Sequence, residues 1–181
     1  MANKFWTDKT VEPKRKYRFK VMLTAGAATG TALDQIIWFA KKVNKPEITV
    51  NTAETQYLGH KFYYPGTVDW NEVSLTLVDP VSPEAATATL EMLSAMGYLG
   101  PKEANDEKPQ TIAKNKAFRV VITQIDSKGV DQETWTLNNA IIIKLGFGDL
   151  DYATEDLSEI EMSFRYDWAS CKTTKTEFFN Q

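Results

Sequence analysis

Hydrophobic and polar positions alternate most regularly near the C-terminal end of the chain. Ile160, Met162, Phe164, Tyr166 and Trp168 fall on one side of an extended backbone, and Glu159, Glu161, Ser163, Arg165 and Asp167 on the other. That two-residue period predicts a strand with one dry face. Val73, Leu75 and Leu77 alternate with Glu72, Ser74 and Thr76 in the same way, approached by Trp70 and ended by Asp79-Pro80, since proline cannot donate to a ladder and restricts its predecessor. Tyr17, Phe19, Val21 and Leu23 make a third such strand against Arg18, Lys20 and Met22. Phe118, Val120 and Ile122 make a fourth, turned at Ser127-Lys128-Gly129 into Trp135, Leu137, Ile141, Ile143 and Leu145. The run Ile141-Ile142-Ile143 predicts burial on both faces.

Between these strands the pattern is looser. Residues 36–43 and 48–50 read as strands joined at Asn44-Lys45-Pro46, a connection compatible with a hairpin. From Asn51 to Tyr64 a strand, a loop at Leu58-Gly59-His60-Lys61 and a second strand are rich in Thr, Tyr and Phe but poor in strong core residues, and need covering. Pro65-Gly66 reads as a turn. Ser82-Pro83-Glu84 suits a helix start, and Ala86, Leu90, Leu93 and Met96 recur at helical spacing, so one helix is expected over about 83–96. Residues 24–31 and 101–116 read as loops, the second as a surface loop or poorly formed helix. The expected core is Trp70, Val73, Leu75, Leu77, Leu90, Leu93, Phe164, Tyr166 and Trp168. The fold class that follows is mainly β: an antiparallel sandwich or barrel with one packed helix. An N-terminal arm (1–14) precedes the domain (15–169), and a polar tail (170–181) with Phe178-Phe179 follows it.

Composition fits that picture. The chain has 181 residues, 43% hydrophobic and 25% charged, enough for one core and short of two full domains. The net charge of −3 lacks the footprint of a protein that grips phosphates. Residues 1–64 carry 11 Lys/Arg against 5 Asp/Glu, and residues 65–181 carry 10 against 19. This split of +6 and −9 has two readings: folding mixes the two halves on one surface, or a basic surface on one copy meets an acidic one on its neighbour. The single cysteine, Cys171, cannot form an internal disulfide, and the N-terminal Met-Ala-Asn-Lys-Phe-Trp has no apolar run, so cytosolic synthesis without a signal peptide is the expectation. No stretch is long enough to span a bilayer.

Chemistry is hard to assemble from these residues. A cysteine nucleophile would need its base, and the one histidine, His60, sits in a Gly-His-Lys loop. Asp149, Asp151, Glu155 and Asp156 form an acidic stretch without the spacing of a zinc or calcium site. Gly26 to Gly30 lacks the Lys-Ser/Thr of a phosphate cradle. Glu159 and Glu161 share a face, which reads as the wet side of a strand. The run Lys14-Arg15-Lys16 with Arg18 and Lys20 reads as a solvated strand face, with inter-subunit salt bridges as the functional alternative. No catalytic, cofactor or metal residue is expected. A monomeric glycan- or peptide-binding sandwich using Trp6, Trp38 and Trp70 is the binding alternative.

The stretch from Tyr64-Pro65-Gly66 through Asp69-Trp70-Asn71-Glu72-Val73 to Asp79, and the C-terminal Ile160-Glu161-Met162-Ser163-Phe164-Arg165-Tyr166-Asp167-Trp168, resemble the tail tube proteins of contractile-tailed bacteriophages. The order of elements agrees over about residues 15–169. The resemblance implies a structural subunit, not an enzyme, that forms six-membered rings stacked into a tube inside a contractile sheath, each subunit adding strands to a barrel shared between neighbours. Polar positions such as Thr49, Asn51, Gln56, Glu161 and Ser163 suit either its lumen or its exterior. It implies partners: copies of itself, the sheath, the baseplate and a tail terminator. A tape-measure protein and DNA would pass through the lumen without specific binding. It also implies a place in the virion, after assembly in the host cytoplasm without a membrane. Tube subunits of type VI secretion and phage-tail-like bacteriocins are the alternative within the same likeness. Tyr57, Leu58, His60, Phe62 and Tyr63 are the residues so implied in contacts between rings or subunits, with Phe5 and Trp6 from the arm.

Overall fold

The computed structural model describes residues 13–25, 40–82, 85–96, 98, 118–153, 155–174 and 176–179. Within them lie β1 (Phe19–Ala25), β2 (Ala40–Val43), β3 (Ile48–Tyr57), β4 (His60–Trp70), β5 (Val73–Val78), α1 (Ala85–Ala95), β6 (Phe118–Ile125), β7 (Asp131–Gly146), β8 (Glu159–Arg165), β9 (Trp168–Thr173) and β10 (Glu177–Phe178). Among the described residues all pairings are antiparallel, and eight strands join in the order β1-β6-β7-β8-β5-β2, with β9 added beside β7 and β10 beside β9.

One strand makes two faces out of this order. Glu133 to Asn138 of β7 pair with β9, whereas Ile141 to Gly146 pair with β8. Between them the chain turns a corner at Asn139, which takes a φ of 55°. Asparagine tolerates that left-handed conformation because its short polar side chain can bond locally, and here Nδ2 donates to Asp167 Oδ2 at 2.9 Å. Asp167 N–H in turn donates to Asn138 O at 3.1 Å. The register shifts by one residue on both sides of the corner, and such bulges bend a strand and increase its twist.

The inner faces meet in one core. Val73, Leu75 and Leu77 of β5 and Ile160, Met162 and Phe164 of β8 are fully covered, with Val120 and Ile122 of β6 and Leu137 of β7 in the same cluster. Phe118 meets Phe164 edge-on at 6.1 Å, joining two strands that are not hydrogen-bonded neighbours. Asp79 starts the helix: its Oδ1 accepts from the N–H groups of Ala85 (3.1 Å) and Ala86 (3.3 Å), which α1 cannot satisfy internally. This is the capping role expected of Ser82.

Several sequence-based expectations are corrected. Leu90 is half exposed, because Ala85, Ala88, Thr89 and Met92 make the inward stripe of α1, continued by Met96 just beyond it, with Leu93 at its margin. Trp168 stays partly exposed, since the corner at Tyr166-Asp167 resets the alternation and β9 buries Ala169 and Cys171 instead. Ile143 is exposed because the register shift between Ile142 and Lys144 leaves it unpaired. β2 pairs with β5 and not with β3. Pro65-Gly66 lies inside β4 at a bulge opposite Asn51, where a Cβ on Gly66 would stand 3.0 Å from the Asn51 carbonyl oxygen. The sheet also runs past residue 169, through β9 and β10. Phe5, Trp6, the Gly26–Gly30 stretch, Trp38 and residues 101–116 lie outside the described residues.

Candidate assembly surface

β3 and β4 form a separate two-stranded sheet. Ten residues of extended chain reach roughly 33 Å, and every residue of both strands except Trp70 is exposed. An isolated two-stranded hairpin is marginally stable in water, and among the described residues both outer edges of this one carry unpaired backbone groups, a template for pairing with another chain.

Its apolar residues change sides along its length. Near the base, Ile48 and Val50 stand opposite Trp70 and Val68, while the other side carries Thr49, Asn51 and Asp69. Asn51 Nδ2 donates to Asp69 Oδ2 at 2.6 Å and to Thr67 Oγ1 at 3.1 Å. Toward the tip, Ala53 pairs with Tyr64, Thr55 with Phe62 and Tyr57 with His60 on that second side, while Lys61 and Glu54 form an ion pair at 2.7 Å on the first. The structure therefore gathers Tyr57, His60 and Phe62 on one side, puts Tyr63 on the other opposite Glu54, and places Leu58 in the turn. Leu58 and Gly59 take φ of 49° and 79°, the backbone of a two-residue hairpin loop that favours Asn-Gly. A leucine held there, 80% exposed, costs local stability and gains nothing within the chain.

The base is fixed. Trp70 packs against Tyr166 (6.0 Å between ring centres) and, edge-on, against Phe179 (5.9 Å). Asn71 N–H donates to Glu47 O at 2.9 Å and Asn71 Nδ2 to Thr49 Oγ1 at 3.0 Å. Burial raises the Tyr166 phenol to about 12. Lys45, just before β3, reaches Glu133 Oε1 at 2.6 Å, which also accepts from Trp135 Nε1 at 2.6 Å; Lys14 pairs with the second oxygen. Burial opposes the charge on Glu133, yet the hydrogen bonds from Lys14, Lys45 and Trp135 outweigh it and bring the carboxyl down to about 2. This cluster ties the end of the arm and the root of the hairpin to β7. Its members lie 88 and 119 residues apart in the chain, and no local pattern announces them.

The residues tested for chemistry are not brought together. His60 is at the hairpin tip and Cys171 is buried in β9, its thiol pushed up by burial and by the field of Glu133. Glu159 is held by Lys41, and Glu161 lies 3.6 Å from Lys144. Among the described residues no three His, Cys, Asp or Glu side chains are grouped to hold a metal, and no helix is long and apolar enough to cross a membrane.

The fold that carries this uncovered hairpin is similar to that of chains in solved contractile injection particles. A chain in the cryo-EM structure of the anti-feeding prophage baseplate, 6-fold symmetrised, matches at a TM-score of 0.66 and 18% identity over 92% of this chain and 99% of that one. A chain of the sheath–tube complex of an extracellular contractile injection system in the extended state matches at 0.64 and 18% over 90% and 93%. The crystal structure of an Hcp protein matches at 0.51 and 14% over 88% and 94%. No protein-family model and no curated protein matches the chain.

Proposed function

We propose that this chain is the tube subunit of a contractile particle, assembling as six-membered rings that stack around a lumen inside a sheath. The observation that carries the reading is the β3–β4 hairpin. It leaves Val50, Tyr57, Leu58, Phe62, Tyr63, Tyr64 and Val68 in water, on a fold shared over about nine-tenths of the chain with components of such particles. In an assembly, neighbouring copies cover both sides and both edges of the hairpin, and its tip residues Tyr57, Leu58, His60 and Phe62 touch the adjacent ring. Tyr63 meets a neighbour from the other side, and Phe5 and Trp6 of the arm add to these contacts.

A phage tail conduit for DNA is the first form of this proposal. The mildly acidic chain suits it, because attractive Lys/Arg contacts to phosphate would retard passage. The second form is the tube of an injection particle, favoured by the likeness to components of extracellular contractile injection systems. Sheath, baseplate and terminator are partners in either form, and the subunit acts by enclosing a channel and not by catalysis.

The test is Leu58→Asp and Phe62→Asp, compared with the unaltered chain by sedimentation and negative-stain microscopy. Both variants are expected to fold with unchanged far-UV circular dichroism and to fail to stack. Normal tubes from either variant would remove the hairpin from the inter-ring contact.

A further inference from the structure

A second exposed feature stands apart from the hairpin. The loop of residues 147–158, between β7 and β8, carries Leu150 at 93%, Tyr152 at 110% and Leu157 at 68% exposure. Large apolar groups so fully in water, grouped on one loop, mark a surface that another molecule covers. The loop is held at both ends: Gly148, at φ 72°, lies against the Glu159 carbonyl, and Ser158 O accepts from Asp79 N–H at 2.9 Å. Asp149, Asp151, Glu155 and Asp156 flank the apolar groups. Among the described residues none of the four lies within ion-pair distance of a cation: Lys41 is held by Glu159 and feels Asp156 only through its field, and Asp151 Oδ1 accepts from Ala153 N–H at 2.9 Å.

Where β1 begins and β6 ends, a cleft has the opposite character. Pro13 and Ile125 give it apolar wall, and Lys14, Arg15 and Arg18 give it positive charge, with Lys16 next to them. Asp126, also in the wall, is engaged by the N–H groups of Lys128 (2.7 Å) and Val130 (2.9 Å) and by Gln132 Nε2 (3.1 Å). Among the described residues Arg15 and Lys16 have no carboxylate within ion-pair distance.

We propose that the loop of one copy seats in the cleft of the next, with Leu150 and Tyr152 against Pro13 and Ile125, and Asp149 and Asp151 facing Arg15, Lys16 and Arg18. The occupant is a second copy because the projecting acidic, apolar element and the basic recess that complements it sit on the same chain. Projection and recess are different surfaces, so the contact runs head to tail and propagates around a ring or along a stack, where a two-fold contact would stop at a dimer. Opposite charge fixes its orientation and register. The inference rests on the tube reading and supplies a contact in addition to the hairpin.

Charge exchange tests it. One variant carries Asp149→Lys with Asp151→Lys; the other carries Arg15→Glu with Lys16→Glu. The four exchanged positions, Arg15, Lys16, Asp149 and Asp151, are exposed, so both variants are expected to melt with the unaltered chain. Each alone should need at least about tenfold more protein to assemble, and an equimolar mixture should assemble at close to the concentration of the unaltered chain, because each reversed surface then meets its complement. Assembly of either variant alone at that concentration, or a mixture no better than its components, overturns the contact while leaving the tube reading in place. An unaltered chain that never assembles overturns both.

Discussion

Replacing Glu133 by glutamine leaves Lys14 and Lys45 facing a neutral amide, while an oxygen remains for Trp135 Nε1. The carboxyl lies at about 2 in the folded chain against an ordinary 4.5, and a shift of that size corresponds to at most about 3 kcal/mol. The two lysines are about half exposed, with side-chain exposures of 52% and 46%, so solvent screening reduces the expected loss to about 1–2 kcal/mol. For a domain of this size that lowers Tm by roughly 2–8 °C. A depressed folded pKa contributes stability that is complete above 4.5 and disappears as the pH falls toward 2. The gap between the unaltered chain and Glu133→Gln should therefore be full at pH 7 and mostly closed by about pH 2.5. Thermal unfolding followed by circular dichroism, with Phe62→Asp in both chains to keep them unassembled, measures it. Equal melting temperatures at pH 7, or a deficit that persists undiminished in acid, would refute the reasoning.

Three further outcomes are expected. Leu58→Asn should raise hairpin stability by about 0.5–1 kcal/mol, since asparagine suits the left-handed turn position, while weakening assembly; hydrogen exchange of the β3–β4 amides and sedimentation read the two effects. Gly148→Ala should destabilise the fold by about 1–3 kcal/mol in a denaturant titration, because the residue has φ of 72° and its Cβ would stand 2.9 Å from Glu159 O. Cys171, buried and with its thiol pushed up, should react with a thiol reagent at pH 8 only as fast as the chain unfolds; rapid labelling of the native protein would contradict its placement.

The strands whose alternation is strict, Val73 to Leu77 and Ile160 to Phe164, are legible because one face of each is wet and the other dry. The β3–β4 hairpin is legible as two strands around Leu58 and as a surface in need of covering, although Pro65-Gly66 gives the local signal of a turn where the fold places a bulge. Pairing is less accessible: Asn44-Lys45-Pro46 suits a hairpin loop, yet β2 finds its partner in β5, a choice made by packing beyond the reach of the segment. Periodicity does not reveal that Leu90 faces outward, because apolar residues and alanines occur nearly all round α1; the cap at Asp79 and the inward Ala85, Ala88 and Met92 choose its face. The corner at Asn139 and Asp167 and the cluster at Glu133 join residues far apart in the chain, and these become visible only once the sheet brings them together.

Negative-stain microscopy of the purified, unaltered chain across a range of concentrations tests the central claim most directly. Rings, or hollow tubes of uniform width built from them, are the expected result; a monodisperse monomer at every concentration would contradict it.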